Sequence, residues 1–131
     1  MVGALGLAAE LLLLDHTESF TQWLPLAVLA LVIVDTAWVA ARPSRAALRF
    51  FRLLMLAVVV TGVAGVVLHY RSNVEFELEM QPAIAGRKLI WASLKGAIPA
   101  LAPGALAQLG LLGLLFTWGH PGLRAPGTPR P

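Results

Sequence analysis

The chain has 131 residues, 58% of them apolar and only 13% charged, against about 25% charged in an average soluble domain. A small soluble fold leaves much of its surface wet, and at a mean hydropathy of +0.77 this chain lacks the polar residues to cover it, so the lipid bilayer is the expected solvent. A net charge of +3 with no cysteine raises nucleic acid as a partner to be tested against where the charges lie, and excludes disulfides, thiolate metal sites and cysteine nucleophiles.

Four apolar segments are read as membrane helices. The first, residues 2–17, holds a driest run of thirteen residues from Val2 to Leu14. That run rises ~20 Å against a hydrocarbon core of ~30 Å, so to span it must extend through His16 or thin the bilayer. With no basic leader and with Glu10 interrupting the run, it does not read as a secretory signal. The second covers residues 24–41, opens at Trp23-Leu24-Pro25 and is expected to hold Pro25 in its first turn. The third runs over residues 46–69, with Ser44 placed to cap it. The fourth covers residues 100–118, with Pro99 and Pro103 at its opening turns.

Between the last two helices lies an outer loop, residues 70–99. Its Glu75, Phe76, Glu77, Leu78, Glu79 and Met80 alternate with a period of two, which predicts a short extended segment with the three glutamates on one face. Residues 86–95 set Leu89, Ile90, Ser93 and Leu94 against Arg87, Trp91 and Lys95, the pattern of an amphipathic helix in the interface. The tail, residues 119–131, is rich in proline and glycine and is expected to be disordered and cytoplasmic. The fold class is therefore an all-α membrane protein, a four-transmembrane-helix bundle over residues 1–118 whose outer loop carries an extended segment and an interfacial helix.

Orientation follows from the basic residues. Arg42, Arg45, Arg49 and Arg52 crowd one short connector, and with Arg124 and Arg130 they put six arginines and no acid on one side, which the positive-inside rule assigns to the cytoplasm with both termini. The other side carries Asp15, Glu18, Glu75, Glu77 and Glu79 against Arg71, Arg87, Lys88 and Lys95. The +3 charge is thus an axial separation that insertion explains without nucleic acid. Aromatic residues divide the same way, Trp38, Phe50, Phe51, Phe116 and Trp118 inside and Phe20, Trp23, Tyr70, Phe76 and Trp91 outside, as interfacial belts require.

Two acids lie within the spans. At depth each costs roughly 2.5–3.5 kcal/mol on insertion scales, so Glu10 and Asp35 are candidates for a proton or ion relay, weighed against structural roles. Asp35 could pair with Arg42, Arg49 or Arg52. A direct Glu10–Asp35 pair is not expected, since the helical rise puts them at about 7 and 17 Å below the outer end. At the outer rim, His16, Glu18, His69, Glu75, Glu77 and Glu79 could converge on a divalent metal of the Zn, Cu(II), Mn or non-haem Fe type, although no two on one helix fix a ligand geometry and a solvated acidic face with one capping His is the simpler and favoured account. Gly62 and Gly65, with Thr61 and Ala64, and Gly110 with Gly113 make small-residue patches for close helix packing, with Gln108 placed to hydrogen-bond across the contact. No phosphate loop, Ser/His/Asp set or haem motif is present, so no cofactor is expected beyond that metal.

The run Glu10-Leu-Leu-Leu-Leu-Asp-His16-x-Glu18, the run from His69 through Asn73 to Met80, and the run from Ala100 through Gly113 resemble a group of small bacterial integral membrane proteins of unassigned function. The resemblance covers most of the chain and implies a bacterial origin and a four-helix layout, without an activity. A glutamate in the first of four helices is also similar to small multidrug-resistance transporters, but the long acidic loop is foreign to that family and its glycine-rich third-helix signature is missing.

The reading favoured by size and layout is not an enzyme but a non-catalytic subunit or accessory protein of a larger complex in the bacterial inner membrane, partnered by lipid, other subunits or further copies of itself. The alternatives are metal or cation handling at the outer His/Glu cluster and proton-coupled transport through Glu10.

Overall fold

In the computed structural model, which describes residues 1–96 and 98–123, the chain is all-helical. Its α-helices are α1 (Val2–Leu13), α2 (Phe20–Ala41), α3 (Arg45–Met80), α4 (Gly86–Lys95) and α5 (Gly104–Thr117), followed by a 3-10 turn, Pro121–Leu123. Two of them, α2 and α3, are long and apolar enough to cross a membrane; α1 and α5 are shorter apolar helices.

The first helix stops four residues short of the expected 2–17, and its C-terminus explains why. Asp15 takes a positive φ of 50°, its N–H donates to Leu12 O at 3.2 Å, and the N–H of His16 donates to Leu11 O at 3.0 Å. This pair of bonds is the Schellman arrangement that closes a helix, with an aspartate where glycine is commonest. The following loop is pinned by Trp23, whose Nε1–H donates to Thr17 O at 3.0 Å.

Four residues earlier than expected, α2 begins at Phe20. The Gln22 side chain reaches back to accept from the N–H groups of Glu18 (2.7 Å) and Ser19 (3.1 Å), satisfying donors that a helix start leaves orphaned. Pro25 therefore sits in the second turn rather than the first, where its missing N–H leaves the Thr21 carbonyl without a helical donor. At the other end, Arg42 is extended at φ −144°, ψ 77°, the region imposed on a residue before proline. The connector ends at Ser44, whose Oγ accepts from Ala47 N–H at 3.1 Å and so caps α3.

The largest departure from the sequence reading is the length of α3. Its 36 residues rise ~54 Å and run straight through residues 70–80, so the outer loop is far shorter than 70–99 and the extended segment at 75–80 is helix. Glutamate, leucine and methionine are all good helix formers. The alternation held no burial signal either, since Phe76, Leu78 and Met80 all remain exposed. The stop comes at Pro82, which forces Gln81 into an extended conformation, φ −140°, ψ 81°.

The amphipathic helix has the expected bounds, Gly86–Lys95. Gly86 opens it at φ +58°, a conformation glycine adopts without steric cost. Ser93 is buried and Arg87, Lys88, Trp91 and Lys95 are exposed, as is Ile90. A staircase of turn bonds from Pro99 to Leu106 leads into α5, which starts at Gly104 rather than at residue 100. Past α5, Gly119 at φ +67° redirects the chain so that the 3-10 turn packs back on α3, with Leu123 against the core. Residues 119–123 thus lie against the bundle; the rest of the tail expected to be disordered, residues 124–131, lies outside the described residues.

The core is built on α3. It packs against α2, α4, α5 and the 3-10 turn, and Leu48, Met55 and Val58 are fully buried along it, facing Leu29 and Val32 of α2 and Leu106 of α5. Trp38 meets Phe50 at 6.3 Å between ring centres and Phe51 meets Phe116 edge-on at 5.9 Å, so rings from three helices gather at the arginine-bearing end.

Candidate functional site

Three places in the bundle combine polar chemistry or empty space with burial. The first is Asp35. On α2 the buried residues recur as Leu26, Leu29, Val32, Asp35 and Val39, a helical stripe turned inward in which the acid takes the place of an apolar side chain. Asp35 is 2% exposed, and neither carboxyl oxygen has a hydrogen-bond partner among the described residues. The pairing with Arg42, Arg49 or Arg52 is not formed: neither Asp35 oxygen has a partner among the described residues, and all three arginines are exposed. Glu10 is exposed on α1, so the two acids occupy opposite kinds of environment.

The second place is the junction of α3 with α4. Asn73, 1% exposed, donates through Nδ2 to Ser93 O at 2.9 Å and to Ile98 O at 2.6 Å, and its Oδ1 accepts from Ile98 N–H at 3.2 Å. One side chain thus satisfies three backbone groups that leave the helical pattern at the end of α4. Gly96 faces it so closely that an added Cβ would lie 2.6 Å from Asn73 Cγ. One turn earlier on α3, His69 Nδ1 lies 3.2 Å from Pro99 O. His69 and Asn73 therefore fasten the same connector at two points. The sequence carries no signal for the role of Asn73, because its partners are backbone groups 20 and 25 residues away.

His69 is engaged with the connector, Glu75 and Glu79 share a helix face from which Glu77 is rotated away, and Glu18 is exposed beside its contact with Gln22. Among the described residues no three His, Asp or Glu side chains are placed to hold one ion. His16, Glu18, His69, Glu75, Glu77 and Glu79 are not brought together as a set among the described residues, and the extended segment expected to carry the three glutamates on one face is helix.

The third place is the α3–α5 face and the cleft beside it. A Cβ on Gly62 would run into the Ala107 backbone, one on Gly110 would lie 2.8 Å from Met55 O, one on Gly65 would lie 2.7 Å from Pro103 Cβ, and one on Gly113 would overlap Met55 Sδ. All four glycines sit where the two helices touch, while Gln108 is exposed rather than bonded across the contact. On the α2 side of this contact, Val39 and Ala40 of α2, Phe51 and Met55 of α3, and Leu112 and Phe116 of α5 line a cleft of about 400 Å³. Thr36 also lines it, but its hydroxyl donates back to Val32 O at 2.6 Å.

Set against known protein families, curated proteins and solved structures, the chain matches none of them.

Proposed function

We propose that this is a four-span protein of the bacterial inner membrane, with both termini cytoplasmic, that serves as a non-catalytic subunit or accessory protein of a larger membrane complex. The observation that carries the reading is an apolar outer surface on all four apolar helices. Leu5 and Leu12 of α1, Leu31 and Val34 of α2, Leu53, Val60 and Val67 of α3, and Leu111, Leu112 and Leu115 of α5 are all exposed. Contiguous apolar area on that scale belongs against lipid or another subunit. With rises of ~18 and ~21 Å, α1 and α5 cross the hydrocarbon with help from their flanking turns or from local thinning. Beside the much longer α3 they leave lateral surface for a neighbour to cover, and the glycine-lined contacts give the bundle the rigidity of a scaffold.

The test is extraction from the native membrane in a mild detergent, followed by sizing and identification of whatever travels with the chain. A stable assembly with a second polypeptide or with further copies is expected; a free monomer at every detergent strength overturns the subunit reading. A second reading, proton or cation handling, is favoured by the buried carboxyl of Asp35, which has no partner among the described residues. It requires flux in reconstituted vesicles that Asp35→Asn abolishes.

A further inference from the structure

We propose that the cleft between α2 and α5 is a binding slot for one acyl chain of an anionic phospholipid, whose phosphate is held at its mouth by Arg42. The inference goes beyond the subunit reading and rests only on the membrane-spanning part of it. The walls are apolar side chains, and the one hydroxyl among them, on Thr36, is spent within its own helix, so the slot offers hydrocarbon contact and asks for no polar partner. It follows α2 from Val32 to Ala40, ~12 Å along the helix axis.

Shape and charge select the occupant. The slot is an apolar furrow of about 400 Å³, which an extended hydrocarbon chain can follow along its length. The slot also has a polar end. Pro43 and His120 line it there, and His120 Nδ1 already accepts from Gly122 N–H at 3.1 Å. The residue preceding Pro43 is the exposed Arg42. Arg45, Arg49 and Arg52 follow on the same end and no acid lies among residues 36–52, so the local field favours a negative headgroup, and a guanidinium offers a phosphate two parallel donors.

The experiment uses the full chain, purified in a non-ionic detergent and freed of lipid, titrated with phosphatidylglycerol or phosphatidylcholine of identical acyl chains and read by native mass spectrometry. One phosphatidylglycerol per chain is expected at a lipid concentration at least tenfold below that needed for phosphatidylcholine. Ala40→Trp, which fills the slot from an exposed position, is expected to weaken the adduct at least tenfold; Leu112→Trp, from the opposite wall, serves the same purpose should the first variant lose its helical circular dichroism. Arg42→Gln is expected to bring the two lipids to equal affinity. Adducts unchanged in both tryptophan variants overturn the slot, and equal binding of the two lipids by the unaltered chain overturns the role of Arg42. These results are separable from failure of the membrane reading itself, which would appear as chain released from membranes by an alkaline carbonate wash.

Discussion

Asp35 is a carboxyl group buried without a hydrogen-bond partner among the described residues, an expensive placement for a side chain. Replacing a polar group that has no partner with an apolar one of similar volume is neutral or stabilising, because no hydrogen bond is lost. Asp35→Leu is therefore expected to raise resistance to unfolding in detergent by about 1 kcal/mol or more, measured by titration with a denaturing detergent; a destabilised variant would mean that the carboxyl is satisfied in the membrane by a group from outside this chain. Asn73 makes the opposite case. Its three bonds compensate its burial, and Asn73→Ala would strip partners from the backbone at Ser93 and Ile98, at a cost of roughly 1–3 kcal/mol. Hydrogen exchange should show the effect as lost protection at the Ile98 amide and at the end of α4, with the middle of α3 unchanged. Asp35 stood out in the sequence because charge in an apolar run is visible at once. Asn73 did not, because a side chain that bonds to distant backbone leaves no periodic trace.

For the elements, legibility followed the strength of the burial signal. The amphipathic α4 has a polar and an apolar side, and its bounds were readable to the residue; the α2–α3 connector was marked by Pro43 and Ser44 in the same way. The end of α3 was misread because Phe76, Leu78 and Met80 are exposed, so an alternating pattern recorded no buried face and helix propensity, aided by continuity with the preceding turns, prevailed. The early end of α1 depends on one left-handed aspartate, which composition does not reveal. Where α3 and α5 meet, the small residues were legible and the geometry adds the magnitude. Gly62→Val places branched carbons against the Ala107 backbone, where no flexible side chain can yield. Overpacking of this kind costs about 1–3 kcal/mol or more, and the expected outcome is a lower unfolding midpoint with α3 and α5 separated, read as a longer distance between spin labels on the two helices. Gly6→Val on α1, which meets nothing within 4 Å, is the matched control and should be close to neutral.

For the molecule as a whole, the absence of cysteine allows the topology to be examined without removing any native thiol. A single cysteine at the exposed Ala46 or at the exposed Ala83 reports the two ends of α3. With a membrane-impermeant maleimide, Ala83→Cys should label in intact spheroplasts and Ala46→Cys only after lysis. The reverse pattern would invert the orientation, and labelling of both before lysis would remove α3 as a span.

The hub position of α3 bears on how the protein is made. Ribosomes deliver α1 and α2 first, and a membrane-inserted α3 would emerge with Gly62 and Gly65 facing nothing, because Ala107 and Pro103, which close against them, have not yet left the ribosome. Until α5 arrives, the half-made chain exposes a small-residue seam that any passing helix could occupy. A message truncated before residue 104 should therefore yield a product that quality-control proteases remove quickly, although every residue of its longest helix is present.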